Sequence, residues 1–355
     1  MSAHARSPRA VGVDALAAHA DRLDVRSPAE YADDHLPGAI SCPVLDDDER
    51  ARVGTLHAQA GAFEAKKVGA ALVSRRIAAI LETVAADKPR GWSPLVYCWR
   101  GGKRSASLTH VLNEIGFPAV QLDGGYRAWR RHVVARLAER PTRFDWRVVC
   151  GVTGSGKSRL LAALAAEGGQ VLDLESLAHH RGSLLGDRPG EPQPSQKAFE
   201  SAILGALDRF DARAPVWVES ESRRIGSVQV PDAVLAAMRA ARCVALELTL
   251  PQRVALLMED YAHFLADPEA LASRLAHLVP LHGRATIERW SALARERDFD
   301  TVVAELLVSH YDPTYTRAMS RNYPGHASAP RVSPDSIDPR AWRTLARSLL
   351  AVPDR

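Results

Sequence analysis

The sequence predicts an α/β protein with two parallel-sheet domains, and three observations support this fold class. Short apolar runs alternate with helical patterns through residues 1–140. The alternation starts again at residue 147, after a polar stretch that contains Pro141. From residue 251 to residue 307 the pattern is almost wholly helical. We therefore expect a first domain at 1–140, a second with a helical extension at 141–325, and a loosely packed tail at 326–355 ending in a short helix.

The elements of the first domain can be placed from local signals. Ser27 can cap the first helix, and Pro28 suits its first position. The predicted strands are 23–25, 39–40, 95–97 and 119–122. Further helices are predicted at 66–86, 105–115 and 126–137. In the second domain we expect strands at 147–150, 171–173, 216–218 and 244–248, with a helix at 157–166.

Composition narrows the class of protein. Hydrophobic residues make up 46% and charged residues 25% of the 355 residues, as in a folded globular protein. The sequence contains neither a secretory signal pattern nor an apolar run long enough to span a bilayer, so we expect a cytoplasmic protein without a membrane partner. The net charge of +4 permits a polyanionic partner. The cysteines form no C-x-x-C pair, which argues against a zinc site, and Cys42, Cys150 and Cys243 suggest no role.

The first candidate site is a loop at residues 98–105 (CWRGGKRS), between a predicted strand and a predicted helix. Backbone N–H groups at the start of a helix and nearby cations favour the thiolate form of a cysteine. We predict Cys98 and Arg104 as catalytic residues. The surrounding anion-binding loop is predicted to comprise Arg100, Gly101, Gly102, Lys103 and Ser105. The alternative is a buried cysteine that packs as a small apolar residue at the end of its strand.

The second candidate site is a loop at residues 151–158 (GVTGSGKS), which matches G-x-x-x-x-G-K-[ST] between a strand and a helix. Such a loop cradles a diphosphate with its backbone N–H groups. The predicted diphosphate-binding residues are Gly151, Gly154, Ser155, Gly156, Lys157 and Ser158. No tightly bound cofactor is expected, although Mg²⁺ could accompany the diphosphate, with Ser158 as a ligand.

Supporting residues follow the strand at 216–218. Glu219 could lie on the metal side of the phosphate site or cap the next turn. Arg223 and Arg224 could face phosphate or form a solvated pair, and we favour phosphate for at least one of them.

Four motifs in the first domain resemble the rhodanese family in order and spacing: residues 24–31, 35–40, 98–105 and 123–129. The resemblance implies a rhodanese-like domain whose Cys98 carries sulfur or selenium. Many rhodaneses have arginine five residues after the cysteine, where this chain has Lys103. Arg104 instead stands at the six-residue spacing of cysteine phosphatases, which implies a wider cradle for a phosphate-sized anion. Tyr97 stands where many phosphatases have histidine.

Over residues 14–315 the combination with the P-loop resembles the tRNA 2-selenouridine synthase family. The further segments that carry this resemblance are 46–55, 173–175, 179–183, 193–199, 219–226 and 311–315. It implies that sulfur in wobble 2-thiouridine of tRNA is replaced by selenium from selenophosphate. It also implies an S-geranyl-2-thiouridine intermediate made from geranyl diphosphate, an S-selanylcysteine at Cys98, and a P-loop NTPase-like second domain whose loop holds the diphosphate.

Several points stay open at this stage. The P-loop could bind a nucleotide instead of geranyl diphosphate. The chain could be a plain sulfurtransferase, a bifunctional phosphatase-kinase, or a non-enzymatic regulator whose first domain senses redox state. Candidate tRNA contacts are Arg284, Arg289, Arg295, Arg297, His179, His180 and Arg181, each of which could equally be a solvated side chain.

Overall fold

Two five-stranded sheets of parallel strands form the framework of the structure, a computed structural model that describes residues 9–183 and 185–351. The described residues up to Arg136, together with Pro194–Gly205, form one unit. Leu137–Gln193 and the residues from Ala206 onward form the second. The predicted α/β fold class is confirmed.

The first sheet has the strand order β1-β5-β4-β2-β3. Its strands are β1 (Ala10–Val11), β2 (Arg22–Asp24), β3 (Ala39–Ser41), β4 (Leu95–Tyr97) and β5 (Val120–Leu122). The accompanying helices are α1 (Pro28–Asp33), α2 (Asp47–Gln59), α3 (Ala62–Ile80), α4 (Lys103–Ile115) and α5 (Gly125–Glu139). As predicted, Ser27 caps α1 and Pro28 opens it. The apolar core includes Leu23, Val96 and Leu108, all 0% exposed.

The second sheet has the strand order β12-β11-β6-β8-β7, with a separate antiparallel hairpin of β9 and β10. The strands are β6 (Trp146–Cys150), β7 (Gln170–Leu172), β8 (Val216–Glu219), β9 (Arg224–Ile225), β10 (Val228–Gln229), β11 (Arg242–Leu246) and β12 (Arg331–Val332). In this parallel sheet the P-loop follows β6, the central strand. Ligands of open α/β sheets bind at the carboxyl ends of such strands.

Twelve further helices follow along the described chain, and most lie after β11, as predicted from the helical pattern at 251–307. They are α6 (Lys157–Ala166), α7 (Leu174–Leu177), α8 (Gln196–Leu207), α9 (Asp232–Ala240), α10 (Leu250–Asp260), α11 (Ala262–Ala266), α12 (Pro268–Leu275), α13 (Val279–His282), α14 (Arg284–Arg295), α15 (Phe299–Leu306), α16 (Asp312–Asn322) and α17 (Pro339–Leu350). Within the described ranges, none of the helices is both long and apolar enough to cross a bilayer.

The expectation of a loosely packed tail at 326–355 needs correction. Strand β12 extends the second sheet by pairing with β11, and α17 packs against α6. Trp342 and Ala346 of α17 are 3% and 0% exposed. The prolines that suggested a loose tail stand outside the strand or open the helix, where proline is tolerated.

The segment Pro194–Gly205 was not predicted to join the first unit. Within that unit, Lys197 Nζ lies 2.6 Å from Asp33 Oδ2, and the Ser201 hydroxyl donates to Asp34 Oδ2 at 3.1 Å. These contacts join residues more than 160 positions apart in the chain. The sequence of this segment does not indicate that it contacts Asp33 and Asp34.

Candidate active site

The loop after β4 is a tight turn that depends on glycine. Cys98 follows β4 directly and is 3% exposed. Gly101 has φ +67°, and a Cβ there would lie 2.7 Å from the carbonyl oxygen of Leu122. A Cβ on Gly125 would lie 2.2 Å from the carbonyl oxygen of Cys98. Only glycine can occupy these positions, because the backbone of β5 and α5 closes directly onto the loop.

Two hydrogen-bond donors point at the sulfur of Cys98. The backbone N–H of Gly102 and the hydroxyl of Ser105 each donate to Sγ at 3.2 Å. Gln121 Nε2 in turn donates to the Ser105 hydroxyl oxygen at 2.8 Å, and the Gly102 carbonyl oxygen lies 3.2 Å from the same hydroxyl. Donors to a thiolate stabilise its charged form. Sequence reasoning missed Gln121, although a polar residue inside an otherwise apolar, buried strand was an available signal.

The three predicted cations of this loop differ in their surroundings. Arg100 and Lys103 are exposed. Arg104 Nη1 lies 2.8 Å from Glu30 Oε2, which also pairs with Arg50 at 3.1 Å. Burial alone would raise the pKa of Glu30, but Arg104, Arg50 and the backbone N–H of Ser27 lower it to about 2. The positive charge of Arg104 is therefore balanced by the carboxylate of Glu30.

The P-loop likewise relies on glycine. Gly154 and Gly156 have φ +76° and +84°. A Cβ on Gly156 would lie 2.4 Å from the ring of Trp342, and one on Gly151 would lie 2.4 Å from Ser155 Oγ. The loop therefore keeps its backbone N–H groups uncovered by side chains, as anion binding requires.

Lys157 is held at the start of α6. Its ammonium donates to the carbonyl oxygen of Gly151 at 2.9 Å and lies 4.9 Å from the ring centroid of Tyr315. Burial alone would lower the pKa of Lys157, but Tyr315, Glu175 and Glu221 raise it above its ordinary value. Lys157 therefore stays charged although it is only 9% exposed. The sequence signal for Tyr315 was its place in the segment 311–315.

Acidic side chains lie beside Lys157 and Ser158 of the P-loop. The Ser158 hydroxyl donates to Glu175 Oε2 at 3.0 Å. Glu219 Oε1 accepts the backbone N–H of Glu175 at 2.9 Å, in the first turn of α7, whose N-cap residue is Asp173. Burial and the neighbouring acids Asp173, Glu175 and Glu221 raise the pKa of Glu219 well above its ordinary value. Sequence reasoning missed Glu175 and Glu221 as site residues.

A cavity of about 610 Å³ opens over the P-loop. Its lining includes Lys157, Ser158, Glu175, Glu221 and Tyr315. The predicted supporting residues Arg223 and Arg224 do not line it. Arg223 pairs with Asp232 at 2.9 Å, and Arg224 Nε donates to the Gly226 carbonyl oxygen at 2.7 Å. The arginines that line the cavity are Arg159, Arg181 and Arg188.

A small apolar pocket adjoins this cavity. The two share five lining residues: Thr153, Ser183, Leu257, Tyr261 and Tyr311. The rest of the pocket is lined mainly by apolar side chains of α10, α11 and α15, among them Phe264, Phe299 and Leu306. One end of the combined space is therefore suited to phosphate and the other to hydrocarbon.

Two family models match the chain, one for each kind of site. The rhodanese-like domain matches residues 13–132, and the tRNA 2-selenouridine synthase AAA domain matches residues 144–273. The fold and the two loops thus define a protein in which a rhodanese-like domain precedes a P-loop domain.

Relatives with this architecture narrow the class to one family. A tRNA 2-selenouridine synthase of Cupriavidus necator is 37% identical over 327 residues, covering 82% of this chain and 86% of the relative. That of Nitrosomonas europaea is 35% identical over 282 residues, covering 76% and 71%. That of Hydrogenovibrio crunogenus is 32% identical over 334 residues, covering 84% and 89%. The chain belongs to the tRNA 2-selenouridine synthase family.

Proposed function

We propose that this chain replaces the sulfur of wobble 2-thiouridine in tRNA by selenium, in two steps that use two donors. Membership of the tRNA 2-selenouridine synthase family supports the overall reaction. The presence of one candidate site in each unit supports a division into two steps. A tRNA substrate also implies that the reaction takes place in the cytoplasm.

The first proposed step transfers a geranyl group from geranyl diphosphate to the sulfur of 2-thiouridine. The observation that carries this step is the position of the apolar pocket beside the P-loop cavity, with five lining residues in common. The P-loop and Lys157 would bind the diphosphate. The hydrocarbon chain would lie along the cavity with its end in the pocket beside Phe264 and Leu306. A nucleotide would place a polar ribose there instead, and the pocket offers ribose few partners.

Mg²⁺ would accompany the diphosphate, with oxygen ligands from Ser158 and Glu175. A hydroxyl and a carboxylate 3.0 Å apart suit a hard cation that keeps several ligands from substrate and water. The bound ion would neutralise charge on the diphosphate. No cluster of three or more acidic, histidine or cysteine side chains suited to a metal occurs among residues 9–183 and 185–351.

The second proposed step delivers selenium from Cys98. The exposed cations Arg100 and Lys103 would hold the phosphate end of selenophosphate. Water would split selenophosphate into phosphate and selenide. The selenide would displace a small thiol from a mixed disulfide on Cys98, so that the disulfide is the oxidant and an S-selanylcysteine forms beside the donors from Gly102 and Ser105. Selenium then attacks C2 of the alkylated base and the geranyl thiolate leaves, after which a thiol reductant cleaves the sulfur–selenium bond. Alkylation is needed first because an unmodified thiocarbonyl sulfur is a poor leaving group.

Reconstitution with defined donors tests the proposal. An anticodon stem-loop RNA with 2-thiouridine is incubated with the purified full chain, Mg²⁺ and geranyl diphosphate, and then with selenophosphate and a small thiol with its disulfide. Mass spectrometry of the nucleosides should show S-geranyl-2-thiouridine first and 2-selenouridine second. Formation of 2-selenouridine without geranyl diphosphate would contradict the intermediate, and its absence with both donors would contradict the function.

Variants of the P-loop test the assignment of the diphosphate. Lys157→Ala should fail at geranylation, because the outer phosphate loses its buried positive partner. Lys66→Ala, an exposed lysine on α3, is the matched control and should geranylate at the wild-type rate. Normal geranylation by Lys157→Ala would remove the diphosphate assignment.

A further inference from the structure

The guanidinium of Arg181 lies where the P-loop cavity meets the apolar pocket. Arg181 lines the cavity, and its Cζ lies 4.9 Å from the ring centroid of Tyr261. Tyr261 lines both the cavity and the pocket, as does Tyr311. An allylic diphosphate that occupies both spaces therefore has its carbon–oxygen junction next to this stacked pair.

The charge of Arg181 is available to a ligand. Its Nη1 is buried and has no hydrogen-bond partner among the described residues. The other two arginines of the cavity each lie near a carboxylate: Arg159 is 2.7 Å from Asp260, and Arg188 is 3.6 Å from Glu191, although Arg188 Nε is also buried without a hydrogen-bond partner. No carboxylate pairs with Arg181 in residues 9–183 and 185–351. A desolvated guanidinium keeps its charge and still requires an acceptor.

Hydrogen bonds hold the backbone of Arg181 and the ring beneath its guanidinium. Its backbone N–H donates to the Gly186 carbonyl oxygen at 2.9 Å. The hydroxyls of Ser183 and Tyr261 are 3.2 Å apart, so the ring beneath the guanidinium is held as well. Donors fixed in advance near developing charge are the largest single source of catalysis in many enzymes.

We propose that Arg181 is a catalytic residue of the alkylation step, a role that rests on the proposed function. It would bind the oxygen that joins the allylic carbon to the diphosphate. As the thiouridine sulfur forms a bond to that carbon, the carbon–oxygen bond breaks and its electron pair passes to this oxygen. The N3 proton of the base is lost to the released diphosphate. Arg181 stabilises the charge that develops on the leaving oxygen, while Lys157 holds the outer phosphate.

The rings beside Arg181 fit the other half of the same transition state. Breaking an allylic carbon–oxygen bond leaves partial positive charge on carbon, and aromatic faces attract positive charge. Tyr261 and Tyr311 supply such faces at the entrance to the apolar pocket. The leaving anion and the allylic carbon would thus each face a group of complementary charge.

The rates of geranylation and of selenium incorporation, measured separately, test the catalytic role of Arg181. Arg181→Ala should lower kcat for geranylation of a 2-thiouridine RNA about 10²-fold, as loss of one preorganised donor does elsewhere, with a smaller change in KM for geranyl diphosphate. Arg181→Lys should recover part of the loss, and added guanidinium should partly rescue Arg181→Ala. The same variant should convert a pre-geranylated RNA to 2-selenouridine at the wild-type rate, and its urea unfolding curve should match that of the wild type, which shows that the second unit is folded.

Arg213→Ala is the matched control because Arg213 belongs to the same unit and is paired with Asp211, but does not line the cavity. It should change geranylation less than about fivefold, as expected for an exposed ion pair. Geranylation by Arg181→Ala at the wild-type rate would overturn the proposal, and so would equal loss with the pre-geranylated RNA. Absence of geranylation by the wild-type chain would instead contradict the proposed function itself.

Discussion

At the scale of single residues, neutral donors rather than free cations make the closest contacts with the sulfur of Cys98. The donors from Gly102 and Ser105 are both 3.2 Å away, while the Arg104 guanidinium is engaged by Glu30. A persulfide-like selenium carrier needs stabilisation of a soft, delocalised charge, and hydrogen-bond donors supply this without binding the product tightly. In the proposed selenium step, the exposed cations Arg100 and Lys103 would remain for the phosphate end of the donor.

Replacing the thiol of Cys98 by a hydroxyl should separate the proposed geranylation from the proposed selenium incorporation. Cys98→Ser should abolish selenium incorporation and leave geranylation intact, because the P-loop site lies wholly in the second unit. Nucleoside mass spectrometry after incubation with both donors measures each product. Cys42→Ser is the matched control: Cys42 belongs to the same apolar cluster, and burial together with Asp24 raises the pKa of its thiol to about 12. If Cys98→Ser also lost geranylation, the cysteine would serve the fold or the first step.

Glu30 should stabilise the first unit in a pH-dependent way. Its pKa in the folded chain is about 2, below the ordinary 4.5. The contribution is therefore fully present above about pH 4.5 and is lost as the pH falls toward 2. Glu30→Gln keeps the helix cap but removes the charge, and should cost about 1 kcal/mol at pH 7 after allowance for solvent screening.

Urea unfolding of both proteins across this pH range measures the effect. The difference in unfolding free energy should be constant between pH 7 and 5 and should shrink below 4.5. Glu64→Gln is the control, since the Glu64 and Lys67 side chains are 47% and 57% exposed and their pair should contribute little. A difference that persisted unchanged to pH 2 would show that charge is not the cause.

At the scale of elements, helix α17 packs against the P-loop through the ring of Trp342. Trp342 is 3% exposed and its ring occupies the space beside Gly156, where φ is +84°. Trp342→Ala should lower the free energy of unfolding of the second unit by about 3–5 kcal/mol, as for other buried tryptophans. Binding of inorganic diphosphate should weaken in the same variant, because the loop can then move into the vacated space. Chemical unfolding and titration calorimetry measure the two effects.

Two control variants distinguish the contribution of the Trp342 ring to stability from that of the rest of helix α17. Trp342→Phe keeps an aromatic ring beside Gly156 and should lose less stability than Trp342→Ala. Arg343→Ala, an exposed change one residue on, should stay within about 0.5 kcal/mol of the wild type. Unchanged stability in Trp342→Ala would show that α17 is dispensable for the second unit.

Local elements were predictable from the sequence, and contacts between distant elements were not. The two loops were found because their glycines and reactive residues are contiguous and stand between a strand and a helix. The contacts that could not be predicted join segments that are separate in the chain. They are the contacts of Trp342 with Gly156, Gln121 with Ser105, and Arg181 with Tyr261. The predicted roles of Arg223 and Arg224 rested on their place after a strand, but the hairpin of β9 and β10 directs them to Asp232 and Gly226.

At the scale of the whole molecule, each unit contains every residue that we assign to its own step. The Cys98 loop, Gln121 and Glu30 belong to the first unit, and the P-loop, Arg181 and the apolar pocket belong to the second. The alkylated base that links the two steps is a covalently stable thioether. Nothing in the chemistry therefore requires one polypeptide to perform both steps on the same tRNA.

A mixture of two inactive variants should consequently make 2-selenouridine. Lys157→Ala retains the selenium site and Cys98→Ser retains the alkylation site, so tRNA geranylated by the second protein can dissociate and be selenated by the first. Neither variant alone should yield the product, and the yield of the mixture should rise when either protein is increased. A mixture that accumulates geranylated RNA without 2-selenouridine, although Lys157→Ala converts pre-geranylated RNA, would show that the intermediate passes between sites within one molecule before it can be released.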